Sequence, residues 1–224
     1  MSVTSTRTKQ EIPVLRPRPK VRKRLILGCV VLVILVSLFA VAAYMGTFNG
    51  NVRVVYAHEL YRSGQLRGKQ LADVLQTDHI RSVINLRGYS PNDAAVNEER
   101  DTCRKMGIDH IDLSLSAGKL PPPEELRSLL RAFDTVPRPM LIHCKGGSDR
   151  SGLACTLYEM TRKGVPLDEA KSSQLTWRYG HIPHGQAHAM DDFFALYRNT
   201  AHGTPISTWI LSDYPKLYPH QREK

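Results

Sequence analysis

Short runs of β-type residues alternate with runs of helical spacing along most of the chain, after one long apolar segment near its beginning. The helical run PPEELRSLLRAF carries an i, i+3, i+4, i+7 apolar stripe, which would bury one face on a sheet. The members of this stripe are Leu126, Leu129, Leu130 and Phe133. The alternation predicts an α/β fold in which a central sheet is flanked by helices.

The apolar segment covers residues 25–45 and contains no charged residue. As a helix rising ~1.5 Å per residue it would span about 31 Å, roughly the hydrocarbon thickness of a bilayer. A cleavable signal peptide is the alternative, since Ala40-Val41-Ala42 resembles a cleavage site. The long segment before it and its own length favour an uncleaved signal anchor, so the sequence predicts one transmembrane helix before the α/β domain.

The positive charge of the chain is concentrated at its amino terminus. The formal net charge is +10, and residues 1–24 supply +7 of it, from eight basic residues and Glu11, which leaves +3 for the rest. With no nucleic-acid-binding motif in the remainder, we expect no nucleic-acid partner. By the positive-inside rule, residues 1–24 stay in the cytoplasm and the following domain crosses the membrane, into the periplasm if the source is bacterial.

The most informative stretch is MLIHCKGGSDRSGLACTLYEM, residues 140–160, in which an apolar strand leads into a cysteine, a glycine loop, an arginine and a helix. Cys144 and Arg150 form a Cys-x5-Arg pattern. Such a loop directs successive backbone N–H groups and a helix amino terminus at one point, where a phosphate dianion fits. The same field would lower the pKa of Cys144 below the ~8.5 of a free cysteine, and Arg150 could bind two phosphoryl oxygens as a fork.

The segment HCKGGSDRSG, residues 143–152, resembles the signature loop of the cysteine-dependent protein tyrosine phosphatase superfamily, in its dual-specificity branch. The segments YRSGQ and VINLRG, which begin at Tyr61 and Val83, are similar to the opening of small bacterial members. The resemblance covers roughly residues 57–185. It implies a phosphatase fold and a reaction that uses no metal and no cofactor.

The resemblance also implies roles for individual residues. Cys144 would be the nucleophile that forms a cysteinyl-phosphate, and Arg150 would bind the substrate and stabilise the transition state. His143 would orient the loop and help to keep the thiol ionised, and the Ser151 hydroxyl would assist departure of the sulfur. The phosphate-binding residues would be Lys145, Gly146, Gly147, Ser148, Asp149 and Arg150. The alternatives are a solvated lysine at position 145 and, less favoured than the catalytic role, a buried structural cysteine at position 144.

The sequence departs from the family pattern at the position of the general acid. Family members bring an aspartate on a separate loop, but the corresponding residues 116–120 contain none. Asp112 is expected on a strand four residues before its end, ~13 Å short of the site. Asp149 matches the Cys-x4-Asp-Arg pattern of myotubularin-type lipid phosphatases, with a helix-terminal carboxylate as the equal alternative. Glu124 and Glu125 are expected to be exposed.

Two further groups are expected to be structural. His181, His184 and His188 are predicted to form a surface cluster rather than a zinc site, because no cysteine or acid stands at a matching spacing. Trp177, Arg178 and Tyr179 are expected to pack in the core as part of a helix, with a position at the rim of the substrate pocket as the alternative.

The resulting prediction is a membrane-anchored phosphatase acting on phosphotyrosine or phosphoserine/threonine proteins. Phosphatase activity on a phosphorylated lipid or inositol phosphate, a phosphate-binding module without turnover, and sulfur transfer are the alternatives. The predicted segments are a basic cytoplasmic tail (1–24), a transmembrane signal anchor (25–45), a linker (46–56), a dual-specificity phosphatase-like domain (57–200) and a carboxyl-terminal extension (201–224).

Overall fold

The computed structural model describes residues 19–48, 50–183, 185 and 187–218. The chain divides into two compact units, residues 1–45 and 46–224. The long helix α1 (Pro19–Phe48) accounts for the described part of the first unit. Within it, Lys23–Ala40 has a mean hydropathy of 2.3 and none of it is buried, so by length and composition it could cross a membrane. Residues 1–18 of the predicted basic tail lie outside the described residues.

The second unit contains five strands and eight further helices among its described residues. The strands are β1 (Arg53–Tyr56), β2 (Leu60–Ser63), β3 (Ser82–Asn85), β4 (Asp109–Asp112) and β5 (Met140–His143). The helices are α2 (Gly68–Thr77), α3 (Ala94–Met106), α4 (Pro123–Thr135), α5 (Asp149–Arg162), α6 (Leu167–Gln174), α7 (Ala189–Thr200), α8 (Ile206–Ser212) and α9 (Tyr214–Leu217). A short 3-10 helix, Trp177–Tyr179, follows α6.

The five strands form one sheet in the order β1-β2-β5-β3-β4. Strand β1 is antiparallel to β2, and the other neighbours are parallel. Ser63, His143, Asn85 and Asp112 stand in one row across the four parallel strands. This row marks the carboxyl edge of the sheet, where ligands bind in parallel α/β folds.

Helices cover both faces of the sheet. Successive residues of each strand point to opposite sides, so each face contributes apolar side chains to a core of its own. On β5, Met140 and Ile142 join the larger core cluster under α4, α5, α7 and α8, whereas Leu141 joins the smaller one under α2 and α3. The predicted stripe of α4 lies buried in the larger cluster. The predicted fold, a central sheet flanked by helices after an apolar helix, is confirmed.

Two structured segments fall in ranges that the sequence assigns to less ordered parts. Strand β1 lies within the predicted linker and pairs with β2. Helices α8 and α9 lie within the predicted extension, where Trp209 and Tyr214 are completely buried in the larger cluster. The domain limits themselves stay a prediction.

Candidate active site

The Cys-x5-Arg loop connects the central strand β5 to α5. Its tightest point is Gly147, which has a φ of +69°. A Cβ at that position would lie 2.5 Å from the backbone N of Gly64 and 2.6 Å from the carbonyl carbon of Ser63, so only glycine fits. The loop therefore passes directly over the end of β2, and the second glycine of the motif is required by both conformation and space.

The loop carbonyls are held on the outside by two side chains. Arg62 is fully buried, and its Nη2 donates to the carbonyls of Gly147 (3.0 Å) and Ser148 (2.9 Å). Asn51 Nδ2 donates to the carbonyls of Gly146 and Gly147, both at 3.1 Å. Since the N–H and C=O of a peptide unit point in opposite directions, N–H groups of these peptides face the inside of the loop.

Arg62 is in turn fixed by the segment that follows α6. Its Nη1 donates to both the backbone and the side-chain carbonyl of Gln174, each at 2.8 Å. The ring of Tyr179 lies against the guanidinium, 4.2 Å from its carbon to the ring centroid. A single buried arginine thus ties the loop to a distant part of the chain.

Cys144 is buried at the base of this loop, with its Sγ 3.5 Å from the Ser151 Oγ. Burial disfavours the thiolate, but the Ser151 hydroxyl, the charge of Arg150 and the backbone N–H groups of Ser151 and Ser148 outweigh it. Together they lower the pKa of Cys144, in agreement with the sequence-based expectation.

His143 faces away from the loop, toward α3. Its Nε2 lies 2.9 Å from Oε1 of Glu99, and Nε2 of His110 lies 2.9 Å from the same oxygen. Gln65 Nε2 donates to the other oxygen, Oε2, at 2.8 Å. Glu99 therefore fixes the orientation of both imidazoles, and each would donate its Nε2–H to the carboxylate.

The Arg150 side chain reaches across the end of the sheet. Its Nη1 donates to the carbonyl of Leu115 at 3.1 Å and to that of Leu86 at 3.5 Å. Its Nε is buried and has no hydrogen-bond partner in the described part of the chain. The Nε atoms of Arg62 and Arg162 are buried without a partner in the same way. Helix α5 begins without a side-chain cap, so no capping side chain competes with an anion for the N–H groups of its first turn.

Asp149, at the first turn of α5, makes contacts that neither sequence reading anticipates. Its Oδ1 accepts hydrogen bonds from the Ser148 hydroxyl (3.2 Å) and from Nδ1 of His181 (2.7 Å). His181 is fully buried, so its assignment to a surface cluster is wrong. His188 is exposed, as that assignment expects, and His184 lies outside the described residues. Lys145 is exposed beside the loop.

The other acidic candidates contact different partners. Strand β4 ends at Asp112, so the expectation that the strand runs four residues further is wrong. Asp112 nevertheless contacts other partners, accepting from Asn85 Nδ2 at 2.7 Å and pairing with Arg100 at 3.4 Å. Glu124 is 77% exposed and lies 3.6 Å from Arg127. The described loop 116–120 contains no acid.

Several contributing residues are not singled out by the sequence reasoning. Arg62 and Gln65 occur in the YRSGQ segment that carries the family resemblance, which was their only signal. Nothing in the local pattern distinguishes Asn51, Glu99 or Gln174. The expectation for Trp177 is also wrong, because α6 ends at Gln174 and the following 3-10 helix leaves this ring 78% exposed.

A parallel sheet whose central strand leads into a cysteine loop and a helix is the fold of the cysteine-dependent phosphatases, and comparisons with known proteins confirm it at the level of the fold. No family model matches the chain. Over 110 residues the chain is 23% identical to the tyrosine-protein phosphatase cdc-14 of Caenorhabditis elegans, a match that covers 49% of this chain and 14% of that protein. The chain therefore matches only a small part of this curated relative.

Two solved structures extend this result. A variant of P. aeruginosa TpbA in complex with pTyr superposes with a TM-score of 0.51 at 21% identity, covering 69% of this chain and 92% of that one. The core catalytic domain of the PP-IP phosphatase Siw14 from S. cerevisiae gives a TM-score of 0.50 at 18% identity, with coverages of 66% and 91%. At this identity the likeness establishes the fold.

Proposed function

We propose that this protein is a metal-independent cysteine phosphatase that hydrolyses phosphomonoesters through a cysteinyl-phosphate on Cys144. The observation that carries the proposal is the environment of this thiol. It is buried, its pKa is lowered, and it lies under the inward N–H groups of a loop that ends at Arg150. A thiolate beside an anion-binding cradle is the arrangement that nucleophilic attack on phosphorus requires.

In the first step the Cys144 thiolate attacks phosphorus, and the bond between phosphorus and the leaving oxygen breaks. The loop N–H groups and Arg150, whose Nε lacks a partner in the described structure, would bind the three phosphoryl oxygens. The leaving oxygen takes a proton from an acid, for which Asp149 is the candidate nearest to the loop. Exposed Lys145 would add positive potential at the entrance.

In the second step water attacks the phosphorus and the S–P bond breaks. Ser151, 3.5 Å from the sulfur, would donate a hydrogen bond to the departing thiolate. His143 would act from behind the loop, where Glu99 fixes its imidazole and its Nδ1 lies 3.4 Å from the Cys144 carbonyl oxygen. Every charge that develops in this cycle is met by a protein group, so the reaction needs no metal ion.

Phosphotyrosine or phosphoserine/threonine proteins are the first substrate class that we propose. The pTyr complex of TpbA supports a site of this fold that accepts an aryl phosphate. A phosphorylated lipid or inositol phosphate is the second class, supported by the described activity of Siw14 and by the apolar helix that would hold the domain near a bilayer. The alternative to both substrate classes is a module that binds phosphate without hydrolysing it, and the experiment below distinguishes the three.

We further propose that α1 anchors the protein in a membrane through residues 25–45, with residues 1–24 in the cytoplasm and the domain on the opposite side. The support is the uncharged segment 25–45, whose residues 25–40 are exposed, and the excess of basic residues before it. For a bacterial source the domain is then periplasmic. An alkaline-phosphatase fusion after residue 224 should be active, and an inactive fusion would reverse this orientation.

The catalytic proposal is tested with the full-length protein in detergent micelles and EDTA. We expect hydrolysis of para-nitrophenyl phosphate, and the relative rates on a phosphotyrosine peptide and a phosphoinositide identify the substrate class. Cys144→Ser and Arg150→Ala should abolish turnover, while the control Arg131→Ala, at an exposed position of α4, should not change it. Phosphate binding without hydrolysis by the unmodified protein would favour the binding module, and full activity of Cys144→Ser would exclude the mechanism.

A further inference from the structure

A chain of four charged side chains runs from the phosphate loop through a fully buried histidine to a partly exposed lysine. Asp149 contacts Nδ1 of His181 at 2.7 Å, and Nε2 of His181 contacts Oδ2 of Asp191 at 2.9 Å. The other oxygen of Asp191 lies 2.7 Å from Nζ of Lys171. The chain joins α5, the loop before α7, α7 itself and α6.

This arrangement favours the protonated form of His181. Both of its ring nitrogens lie within hydrogen-bonding distance of a carboxylate oxygen, and only an imidazolium can donate to both. The hydrogen bond to Asp149 raises the pKa of His181, burial opposes the rise, and the bond to Asp191 adds to it. The charged groups that face His181 are Asp149 from α5 and Asp191 from α7, and Lys171 of α6 neutralises the latter. With His181 protonated, the four charges sum to zero.

A phosphate dianion bound in the loop would change this balance. It would lie beside the first turn of α5, where Asp149 is the residue next to Arg150. A bound dianion next to the Asp149 carboxylate would raise the affinity of that carboxylate for a proton. The closest proton is that on Nδ1 of His181, and a neutral His181 would still donate its Nε2–H to Asp191.

We propose that His181 is a positioning residue, an inference that rests on the proposed function. His181 stores the proton of the general acid and passes it to Asp149 when the substrate binds. In the first step Asp149 gives this proton to the leaving oxygen and becomes a carboxylate. In the second step the same carboxylate takes a proton from the attacking water. The proton then returns to Nδ1 of His181, so that the cycle ends with the charges it began with.

The kinetic test uses full-length protein in detergent and two substrates, para-nitrophenyl phosphate with a good leaving group and an alkyl phosphate with a poor one. His181→Asn can still donate to Asp149 from an amide, but it cannot release a proton. We expect the ratio of kcat/KM for the alkyl substrate to that for the aryl substrate to fall by roughly 10- to 100-fold. The control His188→Asn, at an exposed histidine paired with Asp192, should leave the ratio unchanged.

The pH profile separates proton storage from a structural role. The wild type should lose alkyl-phosphate turnover as the pH rises through the raised pKa of His181, and His181→Asn should lack this basic limb. Asp149→Asn should show the same selective loss, and the double variant should be no slower than either single one. Equal losses on both substrates with an unchanged profile would overturn the inference while leaving the phosphatase proposal intact. No Cys144-dependent turnover at all would instead reject that proposal.

Nitrogen-15 NMR of labelled histidine gives a readout that does not depend on turnover. Both nitrogens of His181 should carry protons in the free protein. Added tungstate, a tetrahedral dianion like phosphate, should remove the proton from Nδ1 and leave that on Nε2. An imidazolium that stays doubly protonated with tungstate bound would refute the transfer.

Discussion

Replacing Glu99 by glutamine should destabilise the protein at neutral pH and remove part of its sensitivity to acid. Glu99 is buried and accepts hydrogen bonds from His143, His110 and Gln65. Burial opposes its ionisation, but the hydrogen bonds and the two imidazoles outweigh this effect and lower the pKa of Glu99 from 4.5 to about 2. The ionised form of Glu99 is therefore more favourable in the folded state than in the unfolded state, and its ionisation stabilises the fold.

The sign and size of the effect follow from this difference. A carboxyl group with a lower pKa in the folded state stabilises that state above pH 4.5, and the stabilisation is lost as the pH falls toward 2. At about 1.4 kcal/mol per pH unit the complete loss is about 3 kcal/mol, of which about 2 kcal/mol is lost by pH 3. Glutamine has no such charge to lose, and its amide would face the Gln65 donor.

Urea denaturation of residues 46–224 measures this effect. Glu99→Gln should unfold with about 3 kcal/mol less free energy than the wild type at pH 7, but with only about 1 kcal/mol less at pH 3. Glu124→Gln, at an exposed acid, is the control and should change the free energy by less than about 0.5 kcal/mol at both pH values. A gap between Glu99→Gln and wild type that is the same at pH 7 and pH 3 would refute the reasoning.

Three other predictions test neighbouring parts of the structure. The rate of Cys144 alkylation by iodoacetamide, measured against pH, should reach half its maximum at a lower pH than for a free thiol. Ser151→Ala should raise this midpoint pH, because the Ser151 hydroxyl is the strongest group lowering the pKa of Cys144. An unchanged midpoint pH would contradict this reasoning. Arg62→Lys should lower the free energy of unfolding by about 2 to 4 kcal/mol and slow turnover, since a lysine cannot reach all four oxygen atoms of Gly147, Ser148 and Gln174 that accept from Arg62. Wild-type stability and rates in this variant would contradict the prediction. Trp209→Ala should cost about 3 to 5 kcal/mol in urea denaturation, because its ring is buried; a loss under about 1 kcal/mol would show that α8 contributes little to the core.

The parts of the site that follow one another in sequence were predictable. A strand, a cysteine, two glycines, an arginine and a helix form one continuous segment, and Gly147 occupies the position that only glycine can take. The stripe of α4 was equally accessible, because its spacing alone decides which face is buried. Local pattern was sufficient wherever the structure is built from neighbouring residues.

The supporting residues were not predictable because their partners are far away in the sequence. Arg62 is a charged residue inside a strand, and its burial makes sense only with Gln174 and the loop carbonyls around it. His181 lies in a segment rich in glycine and proline, which favours an exposed loop. Its ring is nevertheless fully buried and contacts the carboxylates of Asp149 and Asp191. A single sequence contains no signal for such pairs, since the tertiary fold creates them.

The three cysteines of the domain show why the loop, rather than burial or a nearby charge, determines which thiol can react. Burial raises the pKa of Cys103 and of Cys155 to about 12, even though the charge of Arg62 acts on Cys155 in the opposite direction. Cys144 is as deeply buried as Cys155, but the Ser151 hydroxyl, the charge of Arg150 and the backbone N–H groups of Ser151 and Ser148 act on it together. A nearby guanidinium alone, as Cys155 shows, does not ionise a buried thiol. The Ser148 N–H belongs to the peptide whose carbonyl, that of Gly147, is held on the outside of the loop by Arg62 and Asn51, so these side chains support the environment on which the proposed chemistry depends.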